Sequence, residues 1–233
     1  MNNSTILSPS KANSLFWLGR YTERVYLELH LLRLCFDKMI DGDPDDYGRY
    51  LSAIGGVSMY PDQASIIKGL VHDGSNPASV ISSVERCNDN AVLLRDEIKS
   101  PTLGYIQMPL ELLRQNAKNG IEPNVDELQT LTDWMLAFWG SIEERVYDDR
   151  VRTLLKIGKL IEHIDMNVRF GYKFYRIEEA FSSLLACKSS EPRAFNLAVM
   201  DELAEMLTEE KYTAEDSEYK NKLLYLLGNA VVL

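Results

Sequence analysis

Arg20, Glu23 and Arg24 fall within one turn of a helical pattern. Lys159, Glu162 and His163 repeat them 139 residues later. The flanking residues repeat as well. Phe16-Trp17-Leu18-Gly19-Arg20-Tyr21-Thr22-Glu23-Arg24 aligns with Leu155-Lys156-Ile157-Gly158-Lys159-Leu160-Ile161-Glu162-His163. Arginines beside glutamates have two uses. The guanidinium groups can hold a carboxylate or phosphate bidentately, with the glutamates orienting them or acting as base. Alternatively the charges form an ion-pair network that sets the register of two helices. Asp165 and Arg169 extend the second copy at a spacing of four, the geometry of a helix ion pair. A third group follows Asn76-Pro77: Arg86, Asn88 and Asn90, then Arg95 and Glu97. Alone this group reads as a solvated helix face, but Asn88 and Arg95 fall beside the apolar stripe of their helix, and Asn90 and Arg95 are candidate binding groups.

The elements that carry these residues read as helices. Leu15, Leu18, Thr22, Val25, Leu29, Leu32 and Phe36 are spaced by threes and fours. Adding 139 gives Leu154, Ile157, Ile161, Ile164, Val168, Gly171 and Tyr175. The opposite face, with Phe16, Arg20, Glu23, Leu27, Leu31 and Leu34, is also mostly apolar. A helix apolar on two sides is central in a bundle, so Arg20 and Glu23 are expected to be partly or fully buried, and paired. The first helix is expected from Ser8-Pro9-Ser10 to Ile40, about 45 Å long. The second is expected from Asp149 to Tyr175, with a continuation towards Ala186. Shorter helices are expected at 45–54, 62–71, 77–98, 105–118, 123–144, 192–208 and 214–227. No segment alternates at period two, so a sheet is not expected. The fold expected is an all-α helical bundle. Its two long central helices are related by an internal repeat and surrounded by shorter ones. It forms a single domain over 1–233, with peripheral helices from 193 onward.

Composition narrows the function classes. The chain has 233 residues, 45% hydrophobic and 26% charged, with 35 acids against 25 Lys plus Arg and a net charge of −10. A net-acidic surface argues against nucleic acid and anionic membranes as general partners. Cys35, Cys87 and Cys187 are scattered in apolar helical patterns and read as buried thiols of a reducing cytoplasm. The N-terminus lacks a basic region followed by an apolar run, and no stretch is long and apolar enough for a span. A metal site is not expected. Carboxylate-bridged metals in bundles need Glu-x-x-His pairs, none occurs, and His30, His72 and His163 each stand alone. Phosphate-binding glycine loops and common hydrolase motifs are also missing. No cofactor is implied and no catalytic residue is assigned.

Three ordered motifs resemble the bacterial alpha-E domain family, a helical domain characterised by a Glu-Arg pair. They are Trp17-Leu18-Gly19-Arg20-Tyr21-Thr22-Glu23-Arg24, the stretch from Asn76-Pro77-Ala78 through Leu94-Arg95-Asp96-Glu97-Ile98, and Gly158-Lys159-Leu160-Ile161-Glu162-His163-Ile164-Asp165-Met166 with Arg169. The chain departs from the family pattern at Tyr26 and Leu27, at His30, and at Lys159 and His163 in the second copy. Members are typically encoded beside, or fused to, circularly permuted ATP-grasp ligases and transglutaminase-like proteins. The resemblance therefore implies an accessory or binding component of an amide- or peptide-ligating, peptide-tagging system. Its partners would be such a ligase, a transglutaminase-like protein, or an acidic small molecule or peptide. Arg20, Arg24, Arg95 and Arg169 would make the contacts, with Glu23, Asn90, Glu162 and Asp165 setting their geometry. Two alternatives stay open: an enzyme of amide or peptide metabolism using Glu23 or Glu162 as acid and base, and a structural interaction protein.

Overall fold

The structure is a computed structural model that describes residues 7–41, 60, 63–213 and 216–233. It is all α-helical: the described residues form ten α-helices and one short 3-10 turn. Phe195 and Val231 make an isolated antiparallel bridge, and no strand forms among the described residues. Helix α1 runs Pro9–Asp41, α2 Gln63–His72, α3 Val80–Leu93, α4 Arg95–Ile98, α5 Ser100–Asn119 and α6 Val125–Arg145. Then come α7 Asp149–Arg169, α8 Tyr175–Ser190, the 3-10 turn Pro192–Ala194, α9 Leu197–Met206 and α10 Ser217–Asn229. The helix expected at 45–54 lies outside the described residues.

Local chemistry accounts for the helix starts. The Ser8 hydroxyl accepts the Lys11 N–H, and Pro9 occupies the first position, where no amide hydrogen is needed. Asn124 caps α6 through Glu127 N–H, and Asp148 caps α7 through the amides of Arg150 and Val151.

The chain forms two compact units. One holds the start of α1 through Arg20 together with residues 148–233; the other is 21–147. In the first, α8 packs on α7, α10 packs on α7, and α9 pairs with α10. Helix α7 is buried along much of its surface, enclosing Leu154, Leu155, Ile157, Ile161, Ile164 and Val168 among others. In the second unit, α5 is the hub: α2, α3, α4 and α6 all pack on it. Phe138, Leu113, Ile106 and Leu131 are fully enclosed there.

Several boundaries differ from the periodicity. The second long helix stops at Arg169, short of Tyr175. Gly171 takes φ +67°, Tyr172 N–H reaches the Asn167 carbonyl at 3.0 Å, and Gly171 N–H reaches that of Val168 at 3.1 Å. This Schellman closure ends α7, and α8 is a separate helix. The segment expected as one helix over 77–98 starts later and breaks. The Asn76 side chain is used on the Ala78 amide, so Ser79 becomes the cap, through the Ser82 amide. At Leu94 the N–H divides between the Asn90 and Ala91 carbonyls. The next helix then begins at Ser100, not 105, with Pro101 in its first turn, and continues through Pro109. In the C-terminal part, Pro192 opens only a 3-10 turn, and the α-helix begins at Leu197 behind an Asn196 cap.

Candidate functional site

The two glycines of the repeat bring α1 and α7 into backbone contact. A Cβ on Gly19 would overlap the Leu155 carbonyl oxygen and press on the Lys159 amide nitrogen. A Cβ on Gly158 would overlap the Phe16 carbonyl oxygen and press on the Arg20 amide nitrogen. Leu155 and Lys159 stand 139 residues after Phe16 and Arg20, as Gly158 stands after Gly19. The sequence repeat is therefore a symmetric crossing, each helix offering its glycine to the same two backbone groups of the other. Only a residue without a side chain permits this approach.

Arg20 leaves α1 at this crossing and meets α7 one turn on. Its Nε donates to Glu162 Oε2 at 2.6 Å and its Nη2 to Asp165 Oδ1 at 3.5 Å. Asp165 also accepts from Arg169, one turn further along α7. The guanidinium carbon lies 5.0 Å from the Trp17 ring centroid and 5.9 Å from that of Phe16, and those two rings meet edge-on. Glu162 is 0% exposed, the Arg20 side chain 11% and the Arg169 side chain 41%. Two arginines and two carboxylates balance. The enclosed Glu162 would be costly to bury without Arg20. Aromatic faces beside the guanidinium add cation–π attraction and keep water from it.

Glu23, Arg24, Asn90 and Arg95 belong to the other unit. Glu23 is buried, as its helical face requires. Arg24 is half-buried and acts with Glu28, Arg86 and Cys87. Burial, then the Glu28 carboxylate, holds the Cys87 thiol well above its usual range, while Arg24 and Arg86 pull the other way. Arg86 itself spans from the Pro77 carbonyl, 2.8 Å away, to the Tyr21 ring. Asn90 is half-buried and spends its amide on the Arg86 carbonyl at 2.9 Å. Arg95 does not lie beside the apolar stripe. The break at Leu94 rotates it off the apolar stripe, leaving it exposed with its Nε on the Ser100 hydroxyl at 2.9 Å. Cys35, Cys87 and Cys187 are all free and buried, as their apolar settings suggest.

Two buried acids escaped the sequence pattern. Glu28 is enclosed on α1, one turn after Arg24, and that spacing was its only signal. Glu127 is enclosed at the start of α6. His72, one of the three histidines expected to stand alone, places Nε2 2.8 Å from Glu127 Oε1, and Asn116 Nδ2 donates to the same oxygen at 2.9 Å. His72 ends α2 and Glu127 stands in the first turn of α6. The contact joins residues 55 apart, which helical spacing cannot reveal. Among the described residues no three His, Cys, Asp or Glu side chains gather as a metal site requires, and no helix is long and apolar enough to cross a membrane.

A family model described as a predicted alpha-helical domain with a conserved ER motif matches residues 7–204. The chain belongs to the Alpha-E family. The match spans both compact units. Within that match the sequence holds Glu-Arg pairs at Glu23-Arg24, Glu85-Arg86 and Glu144-Arg145, the first of them inside the repeat, whose second copy carries Glu162-His163. For an Alpha-E chain, the symmetric glycine crossing gives the repeat a structural meaning. No curated protein and no solved structure matches it.

Proposed function

We propose that this Alpha-E chain is a non-catalytic binding component of an ATP-grasp-type amide or peptide ligase system in the bacterial cytoplasm. The ligase partnership rests on the family's association with such enzymes and with transglutaminase-like proteins. The non-catalytic reading rests on one observation, that Arg20 is already engaged by two carboxylates, Glu162 and Asp165, with Arg169 on Asp165 completing the charge balance. A general base must reach the proton it takes, and Glu162 is fully enclosed against a guanidinium. A guanidinium that already holds two carboxylates has little left for a ligand's. In this reading Arg20, Glu162 and Asp165 pin the helix crossing, and binding falls to groups further out, Arg169 first among them. The three buried thiols suit a reducing compartment.

The test is co-expression of the tagged chain with a circularly permuted ATP-grasp protein and, separately, with a transglutaminase-like protein. A stable complex, or a change in the ligase's ATP turnover on adding the chain, is expected. The chain alone should turn over neither ATP nor amide substrates. Amide turnover by the isolated chain, lost in a folded Glu162→Gln variant, would replace this reading with the enzyme one. Absence of any complex or effect would remove the ligase partnership.

A further inference from the structure

The segment Arg169-Phe170-Gly171-Tyr172-Lys173-Phe174-Tyr175-Arg176 joins α7 to α8 and holds three cations, four aromatic rings and no acid. It stands in a chain of net charge −10. Residues 149–176 contain seven Lys or Arg and three Asp or Glu, a local charge of +4, which leaves −14 on the rest. Two of those three acids, Glu162 and Asp165, are the buried partners of Arg20. The next acids, Glu178 and Glu179, come only after α8 has begun.

The turn is also rigidly built. The Schellman closure at Gly171 fixes its entry. Phe174 stacks near Tyr212, with ring centroids 5.8 Å apart, and the Tyr212 hydroxyl donates to the Tyr172 carbonyl at 3.0 Å. On the outer side the Arg176 guanidinium carbon lies 5.1 Å from the Tyr172 ring centroid and 5.8 Å from that of Tyr175, and its Nε donates to the Tyr175 hydroxyl at 3.4 Å. Tyr175 is 66% exposed. Arg169 is steered by Asp165 yet open to solvent. Lys173 and Arg176 are exposed, and neither pairs with a carboxylate among the described residues.

A guanidinium held over aromatic faces loses little rotamer freedom on binding and keeps its planar edge for a carboxylate. We infer that this turn docks a short acidic peptide segment of a partner protein. Carboxylates pair with Arg169, Lys173 and Arg176, and apolar parts of the peptide lie on Tyr172 and Tyr175. The inference rests on the binding-component reading and names its surface. Charge decides the class of partner. An extended polyanion such as nucleic acid would run off this turn onto the acidic C-terminal part of the same unit, where residues 177–233 hold eleven Asp or Glu against five Lys or Arg, whereas a short run of carboxylates ends within it.

Fluorescence anisotropy with the full chain tests it, using a labelled oligoglutamate peptide, its oligoglutamine counterpart and a thymidine oligonucleotide of matching charge. Oligoglutamate should bind, more weakly as salt rises, and oligoglutamine should not. Lys173→Glu/Arg176→Glu should weaken binding by about tenfold or more with the thermal midpoint unchanged, since both side chains are exposed. Equal binding by variant and wild type, or tighter binding of the oligonucleotide, would overturn the inference. Failure of the wild type to bind oligoglutamate while a ligase still co-purifies removes this surface and leaves the binding-component reading standing. Binding that the variant loses, with no ligase in complex, upholds the surface and removes the ligase.

Discussion

Substituting Gly158 by alanine should destabilise the protein although alanine is the better helix former. The added Cβ would overlap the Phe16 carbonyl oxygen and crowd the Arg20 amide, both backbone atoms that cannot swing aside. Helices α1 and α7 would have to separate by about 1 Å there, enough to forfeit a quarter to a half of each contact's dispersion well. Overpacking of a tight core costs about 1–3 kcal/mol, and a clash against backbone belongs at the upper end. Alanine returns up to about 1 kcal/mol through helix propensity. The net loss expected is about 2 kcal/mol, or about 4–8 °C in thermal midpoint for a chain of this size. Gly140→Ala is the internal comparison. It also lies inside a helix, but its added Cβ meets nothing within 4 Å, so it should gain up to about 1 kcal/mol. Thermal unfolding by circular dichroism measures both. Gly19→Ala should resemble Gly158→Ala. The double variant should lose less than the sum, because one separation relieves both overlaps. A Gly158→Ala protein as stable as the Gly140→Ala protein would refute the close crossing and its two-fold reading.

Three further expectations follow from the same geometry. Arg20→Met should cost up to about 3–5 kcal/mol by taking a charged partner from the enclosed Glu162, whereas Arg20→Met/Glu162→Leu should recover a large part of that loss; chemical denaturation of both tests the pairing, and equal losses would contradict it. Burial, with help from Tyr219, pushes the Tyr212 hydroxyl up to about 12. The native state therefore keeps a proton that the unfolded chain releases above about pH 10, so stability should fall as pH rises from about 10 to about 12 and Tyr212→Phe should blunt that fall. The Cys87 thiol, enclosed and held protonated, should resist thiol reagents in the native protein and react on unfolding; rapid native labelling, read by mass spectrometry, would show that α3 opens.

The helical class, the start of α1 and the repeat are legible in the sequence because each depends on near neighbours. Ser8-Pro9 is a local cap, and the stripe through Leu15, Leu18 and Thr22 is helical geometry acting over a few residues. The burial of Glu23 and the partial burial of Arg20 are legible for the same reason: both sit on an apolar face of a helix apolar on two faces. The boundaries that moved are places where several local signals compete. Asn76 and Ser79 can both cap, and which does so depends on where the Asn76 side chain turns. Gly171 can sit within a helix or end it, and here it takes the left-handed conformation that ends it.

The composition of 169–176 is likewise visible to a reader of the sequence, but its value as a surface depends on Arg176 lying over two tyrosine rings, a matter of rotamers and packing. Pairing across the chain is harder still. Residues 142 and 55 apart meet as Arg20–Glu162 and His72–Glu127, and no periodicity within one helix says which acid faces which base on another. The repeat showed that Gly19 and Gly158 correspond. Only the tertiary structure decided that they face each other, because helices cross most closely where neither carries a side chain, and the direction in which Arg20 can reach is set by that crossing.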